Sequence, residues 1–228
     1  MADQDVRYDR DRPDRIGMPE AILCEGKTAA QIEEAVTQAL SGADNVLLTR
    51  LGSDLAATVP MELTDYDEDS RTAIVGSWSA PTQDPQVAVV AAGTSDLSVA
   101  REALRTLSYH GIAAAEYADV GVAGLWRLLD IADELSRYRA IIAVAGMDGA
   151  MFTVLGGLVP SMIVAVPTSV GYGVSNRGET ALHAALASCA QGIVVANIDN
   201  GYGAACAVTR LLGTGVKPPT TDGPDHRG

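Results

Sequence analysis

The sequence predicts an α/β fold: a doubly wound, five-stranded parallel sheet in a flavodoxin-like three-layer αβα arrangement, preceded by a small α/β N-terminal domain. Three observations predict it. Residues 86–92, 112–115, 140–145, 162–166 and 193–196 are short, nearly unbroken apolar runs, the pattern of strands covered on both faces. The segments between them are long enough for crossover helices, which parallel strands require. Each run ends in small, hydroxylic or acidic residues, the turn chemistry found where a parallel strand hands over to a helix.

Composition narrows the function classes. With one Phe and two Trp in 228 residues, Ala, Val, Leu and Gly must fill the core, which suits closely layered helices and strands and tight subunit contacts. A net charge of -13 argues against nucleic acid and against an anionic membrane as partners, so any phosphate must be held by local groups. Cys24, Cys189 and Cys206 are too few and too unevenly spaced for a disulfide framework or a cysteine metal site, which predicts free thiols in the cytoplasm. The first ten residues are acidic and polar where a signal peptide is basic and then apolar, and no apolar run reaches the length of a membrane span.

Residues 1–15 alternate Asp and Arg and predict a solvated polar arm. A small α/β domain follows over 16–80. Gly26-Lys27-Thr28 ends like a P-loop, but that motif needs Gly where Ala21 stands. Thr28 and Gln31 instead predict a capping box for a helix over 29–40. Residues 46–49, 56–63 and 72–78 read as three strands separated by acidic turns. Two prolines among polar residues mark 81–85 as a linker, 86–214 form a second, larger α/β domain, and 215–228 have the composition of a disordered tail.

Within the second domain five loops follow the five strands, and parallel pairing sends all of them to one edge. They carry Gly93-Thr94-Ser95-Asp96, then Glu116 with Asp119 and Gly121, then Gly146-Met147-Asp148-Gly149, then Thr168-Ser169 with Gly171-Tyr172-Gly173, and lastly Asn197, Asp199 and Asn200. Any one loop reads equally well as local structure, Ser95 and Asp96 as helix caps and the glycines as positive-φ turns. Five such loops on one edge point to a site for a nucleotide-sized ligand.

With these motifs together, the chain resembles the LarB family, the carboxylase and hydrolase of nickel-pincer nucleotide cofactor synthesis. Residues 86–214 also look like the related PurE family of aminoimidazole ribonucleotide carboxylases and mutases. The stretch from Arg15 through Thr28 is similar to the LarB N-terminal region, so the LarB likeness spans nearly the whole chain. PurE enzymes carry a His in the loop after the third strand; here that loop holds Asp148 and no His, and His110, His183 and His226 lie elsewhere. The balance is toward LarB, with a PurE-like carboxylase and a non-catalytic nucleotide-binding protein as alternatives.

The LarB resemblance implies a reaction on nicotinic acid adenine dinucleotide with carbon dioxide or bicarbonate as co-substrate. Carbon 5 of the pyridinium ring is carboxylated and the phosphoanhydride is cleaved to release AMP. An electron-poor ring attacks carbon dioxide only after a nucleophile has added to it, a task for a thiolate. The resemblance assigns that thiolate to Cys189; position alone favours Cys206, near a helix N-terminus. Asp148, where the family usually has Glu, is implied as the acid or base. Gly93, Thr94, Ser95, Asp96, Asp119, Gly146, Met147, Gly149, Thr168, Ser169, Asn197, Asp199 and Asn200 are the expected substrate-binding residues. Mg²⁺ is expected to assist phosphoanhydride cleavage, its protein ligands unknown. PurE relatives are octamers, so a homo-oligomer is implied.

Overall fold

The structure, a computed structural model, describes residues 6–59 and 65–213. The predicted tail lies outside these residues, as do residues 1–5 of the arm and 60–63 of the second predicted strand. The N-terminal part comprises α1 (Arg12–Ile16), β1 (Ile22–Leu23), α2 (Ala29–Leu40), β2 (Asn45–Thr49), α3 (Ser53–Ala56), β3 (Tyr66–Asp67) and β4 (Thr72–Gly76). There follow β5 (Val87–Ala91), α4 (Leu97–Tyr109), β6 (Ala114–Tyr117), α5 (Leu125–Asp130), α6 (Ala132–Leu135) and β7 (Ala140–Ala145). The last elements are α7 (Ala150–Leu158), β8 (Met162–Pro167), α8 (Glu179–Leu186), β9 (Ile193–Val195) and α9 (Gly201–Leu212).

The second sheet has the order β6-β5-β7-β8-β9, parallel throughout, as the five apolar runs predict. Alternation sorts its side chains to two faces. Val87, Val89 and Ala91 pack with Ala100, Ala103 and Leu107 of α4 and Ala204, Ala205 and Val208 of α9. Ala88 and Val90 pack on the other face with Leu128, Leu135, Phe152 and Leu155 from α5, α6 and α7. The smaller sheet has the order β1-β2-β4-β3, with β1 parallel to β2 and the other pairs antiparallel. The Thr28 hydroxyl accepts from the Gln31 N–H at 3.2 Å and Gln31 Oε1 accepts from the Thr28 N–H at 3.0 Å, so the predicted capping box starts α2.

Three expectations are corrected. Residues 6–15 are not a solvated arm. The Tyr8 N–H donates to Gln38 Oε1 and Gln38 Nε2 donates to the Val6 carbonyl, each at 3.0 Å, docking the segment on α2 before α1 begins. The strand predicted from residue 56 is the end of a helical turn: Ala56, Ala57 and Val59 donate back to Gly52, Ser53 and Leu55. The strand predicted over 112–115 starts two residues later. Ile112 N–H reaches back to Leu107 O and Gly111, at φ 76, donates to Ser108 O, a Schellman motif that spends the first apolar residue on closing α4.

The N-terminal sheet rests against α4 through polar groups. Glu102, 4 % exposed, accepts from the Thr49 hydroxyl of β2 and, at 3.0 Å, from the Tyr202 N–H of α9. Burial raises its pKa, and the Thr49 and backbone donors and Arg50 oppose that shift. Arg105 pairs with Asp65 at 2.6 Å and reaches Thr72 Oγ1 at 3.2 Å, while Arg101 bridges Asp69 and Glu116. Among the described residues no helix is long and apolar enough to cross a membrane.

The first residue of α9 fits only without a side chain, because a Cβ on Gly201 would collide with the Val99 carbonyl and crowd Glu102. Gly201→Ala is expected to lower stability by about 1–3 kcal/mol through overpacking. The urea midpoint of the variant checks this; an unchanged midpoint would mean that the α4–α9 contact yields without cost.

Candidate active site at the strand ends

Because all five strands of the larger sheet run the same way, the loops after them leave one edge, and one buried carboxylate ties three of these loops together. Asp96, in the turn between β5 and α4, accepts the Gly93 N–H at 2.9 Å on Oδ2 and the Thr168 hydroxyl at 2.6 Å on Oδ1. A backbone hydrogen bond from Gly146, after β7, completes the set. Burial raises the pKa of Asp96, the three donors pull it down, and the nearby Asp199 carboxylate adds to the rise. Gly146 has no room for a side chain, since a Cβ would meet the Val170 carbonyl and Thr168 Oγ1.

Around this knot lies a cavity of about 660 Å³, the size of a small-ligand site. Gly93, Ser95, Asp96, Gly146, Met147, Asp148 and Gly149 line it, as sequence predicts, joined by Gly121, Val122, Ala123, Met151, Val170, Val174 and Ser175. Met147 takes a positive φ of 53° and its N–H donates to Val170 O at 2.9 Å, which holds the 146–149 loop against the loop after β8. Asp148 is exposed and lines the cavity; its Oδ1 accepts the Ala150 N–H at 3.2 Å at the start of α7, and Oδ2 has no hydrogen-bond partner among the described residues.

The remaining predicted residues divide. Thr168 is fully buried beneath the cavity, where it holds Asp96. Ser169 and Asp199 are joined by a 2.8 Å bond from the Ser169 N–H to Asp199 Oδ1 and line a smaller, separate recess with Ser95. Thr94, Asp119 and Asn197 line neither space; the Asp119 carboxylate is taken by Arg127 at 2.5 Å. Asn200 caps α9 by accepting the Gly203 N–H at 2.7 Å and faces a different hollow, beside Leu23 and Tyr202. Arg50, Arg71 and Ser98, which sequence reasoning passed over, line the smaller recess. The only sequence signal for Arg71 is a single cation closing the acidic turn after Asp67-Glu68-Asp69.

Residues 3–77 match the LarB/PurE-like N-terminal domain and residues 86–219 match the AIR carboxylase family. The chain belongs to the LarB family. Its two domains set it among carboxylase and mutase enzymes. An uncharacterised protein of Methanocaldococcus jannaschii is 34% identical over 209 residues, spanning 87% of this chain and 80% of that protein. The crystal structure of a variant of Treponema denticola PurE2 aligns with a TM-score of 0.45 at 22% identity, over 57% of this chain and 81% of that one.

In this LarB-family chain the three cysteines differ sharply in surroundings. Cys24 is buried in the N-terminal core, its thiol pushed up to about 12 by burial. Cys206 is the sixth residue of α9, half-buried and hydrogen-bonded to the Tyr202 side chain, and burial raises its pKa. That desolvation, together with its depth in the helix, removes the dipole advantage expected from sequence. Cys189 is exposed.

Contrary to expectation, Cys189 does not lie on the rim within one chain. α8 leads away from the rim for eight residues, about 12 Å at 1.5 Å each. Gly192 O then accepts Ile163 N–H and β9 begins opposite Ile163, so the loop holding Cys189 sits at the amino ends of β8 and β9. Sequence likeness assigns a chemical role to a residue type; it does not state which copy of the chain brings that residue to the substrate.

His110 is half-buried, with its Nε2 buried and unpartnered among the described residues and its pKa lowered to about 4 by burial, and no histidine lines the larger cavity. Among the described residues no group of three or more His, Cys, Asp or Glu side chains is arranged to hold a metal ion.

The raised pKa of Asp96 predicts a signed pH effect. The folded chain holds this proton more tightly than the unfolded one, whose Asp titrates near ~3.9. The stability contribution is thus full below the unfolded pKa and is lost as pH rises through the folded value. In Asp96→Asn that loss disappears. Urea midpoints of the two proteins from about pH 3.5 to 7 should therefore shift against each other as pH rises; a constant difference would contradict the assignment.

Proposed function

We propose that this chain carboxylates carbon 5 of the pyridinium ring of nicotinic acid adenine dinucleotide and cleaves its phosphoanhydride to release AMP. The observation that carries this is the larger cavity: apolar walls from Val122, Val170, Val174 and Met151 suit a flat ring, Asp148 supplies a carboxylate, and no imidazole is present for PurE-type proton transfer. A thiolate adds to a ring carbon beside carbon 5, and the ring's positive charge is neutralised as an enamine forms. Carbon 5 then attacks carbon dioxide, making the new C–C bond. Asp148 Oδ2 takes the proton from carbon 5, the C–S bond breaks, and its electron pair leaves with sulfur as the aromatic cation is restored. Water then attacks the phosphoanhydride, giving the carboxylated mononucleotide and AMP. Mg²⁺ and bicarbonate belong to this proposal as species that arrive with the substrate, the ion on its phosphates.

The thiolate is Cys189, brought by a second copy of the chain. Exposed apolar residues occur at both ends this requires: Leu186 (65 % exposed) and Val194 beside the thiol, and Tyr172 and Val174 (91 % exposed) beside the rim. Joining such ends covers both patches and builds a homo-oligomer. Free thiols suit a reducing compartment, hence the cytoplasm.

Incubation with the dinucleotide, labelled bicarbonate and Mg²⁺ should yield a carboxylated mononucleotide and AMP by mass analysis. Binding without AMP release would instead make this a nucleotide sensor, and turnover of aminoimidazole ribonucleotide a PurE-type enzyme. Cys189→Ser and Asp148→Asn should each abolish carboxylation with fold intact. Co-assembled from the two variants at equal amounts, hybrid particles should regain roughly a quarter of wild-type activity, because some sites then draw an intact thiol and an intact carboxylate from different chains. No regain would place both groups in one chain and overturn the shared site.

A further inference from the structure

The larger cavity contains no Lys or Arg, yet two of its lining residues are Asp. A dinucleotide bound there brings two phosphate charges that its walls cannot neutralise. The smaller recess, about 260 Å³, adjoins it, since Ser95 and Val170 line both. Arg50 and Arg71 of the N-terminal domain reach into this second space, with the Ser95, Ser98 and Ser169 side chains around it. Both arginines hold the left-handed backbone region, φ 54° and 55°, which long side chains rarely adopt. Met147 and Asp199, also lining these spaces, share that conformation.

Three carboxylates line the same recess, and each is already engaged. Glu25 pairs with Arg50 at 3.0 Å; Glu102 accepts from Thr49 and Tyr202; Asp199 accepts from Ser169 N–H, while its carbonyl takes Arg50 Nη2 at 2.8 Å. Arg50 is therefore occupied. Arg71 makes no ion pair among the described residues, and the Ser95, Ser98 and Ser169 hydroxyls make no hydrogen bonds among them. An uncompensated guanidinium with three free hydroxyls in a chain of net charge -13 is a local exception to its surface.

We infer that this recess binds the adenylate-side phosphate of the substrate, with Arg71 as its principal charge and Ser98 and Ser169 as further donors. The N-terminal domain thereby supplies the cation that the five-stranded sheet lacks, and it holds the phosphate that departs as AMP. The inference rests on the dinucleotide reading above.

Its test measures binding apart from turnover. Calorimetry with AMP as probe should give at least about tenfold weaker binding to Arg71→Ala, with partial recovery in Arg71→Lys, which keeps charge but loses the two-pronged geometry. Nicotinic acid mononucleotide should bind the wild type and both variants alike. Equal AMP affinity in wild type and Arg71→Ala, or no AMP binding by the wild type, would overturn the inference. Arg71-dependent AMP binding without carboxylation would leave the recess standing and remove the reaction. Carboxylation by Arg71→Ala with an unchanged KM for the dinucleotide would do the reverse. The Arg71 residue is exposed and its side chain makes no hydrogen bond among the described residues, so circular dichroism and melting should match wild type.

Discussion

The arrangement of the rim depends on one buried carboxylate. Asp96 draws together the backbone after β5, the backbone after β7 and the Thr168 hydroxyl after β8, so three loops that could move separately share one anchor. Its charge is held in low-dielectric surroundings at a cost reflected in the raised pKa, and the donors that offset this cost are the groups that need to be fixed. From sequence, Asp96 reads as a ligand contact. In the structure both its oxygens already serve the protein, and Ser95 and Asp148 are what the cavity presents to a guest.

The chain divides labour between its two sheets. The larger one, built from small apolar residues, makes an apolar floor that carries carboxylates and no cation. The smaller one contributes arginines from the end of β2 and the turn before β4. The smaller recess is lined from both domains, which gives a physical reason for the two to occur in one polypeptide.

What was legible in the sequence was local or periodic. The capping box of Thr28 and Gln31, the five parallel strands and the loops carrying Ser95 and Asp148 follow from patterns a few residues long. Ile112 was misread because an apolar residue that closes a Schellman motif looks like the first residue of a strand. The segment from Ala56 was misread because strand-like composition was outweighed by bonds back to Gly52 and Ser53. Arg50 and Arg71 were missed because the groups that share their recess lie on α4 and in the loops after β8 and β9, distant in sequence. The resemblance assigns Cys189 to the site, but crossover topology takes the segment after a helix to the opposite sheet edge of the same chain.

Glu102 receives the Thr49 hydroxyl from one sheet's domain and the Tyr202 N–H from the other's. Pulling the two halves apart would take the Thr49 hydroxyl and the Arg50 guanidinium away from Glu102 and leave it the Tyr202 N–H, which belongs to its own half. One carboxylate thus ties β2 of the smaller half to α4 and to the start of α9, and the recess between them is walled from both sides.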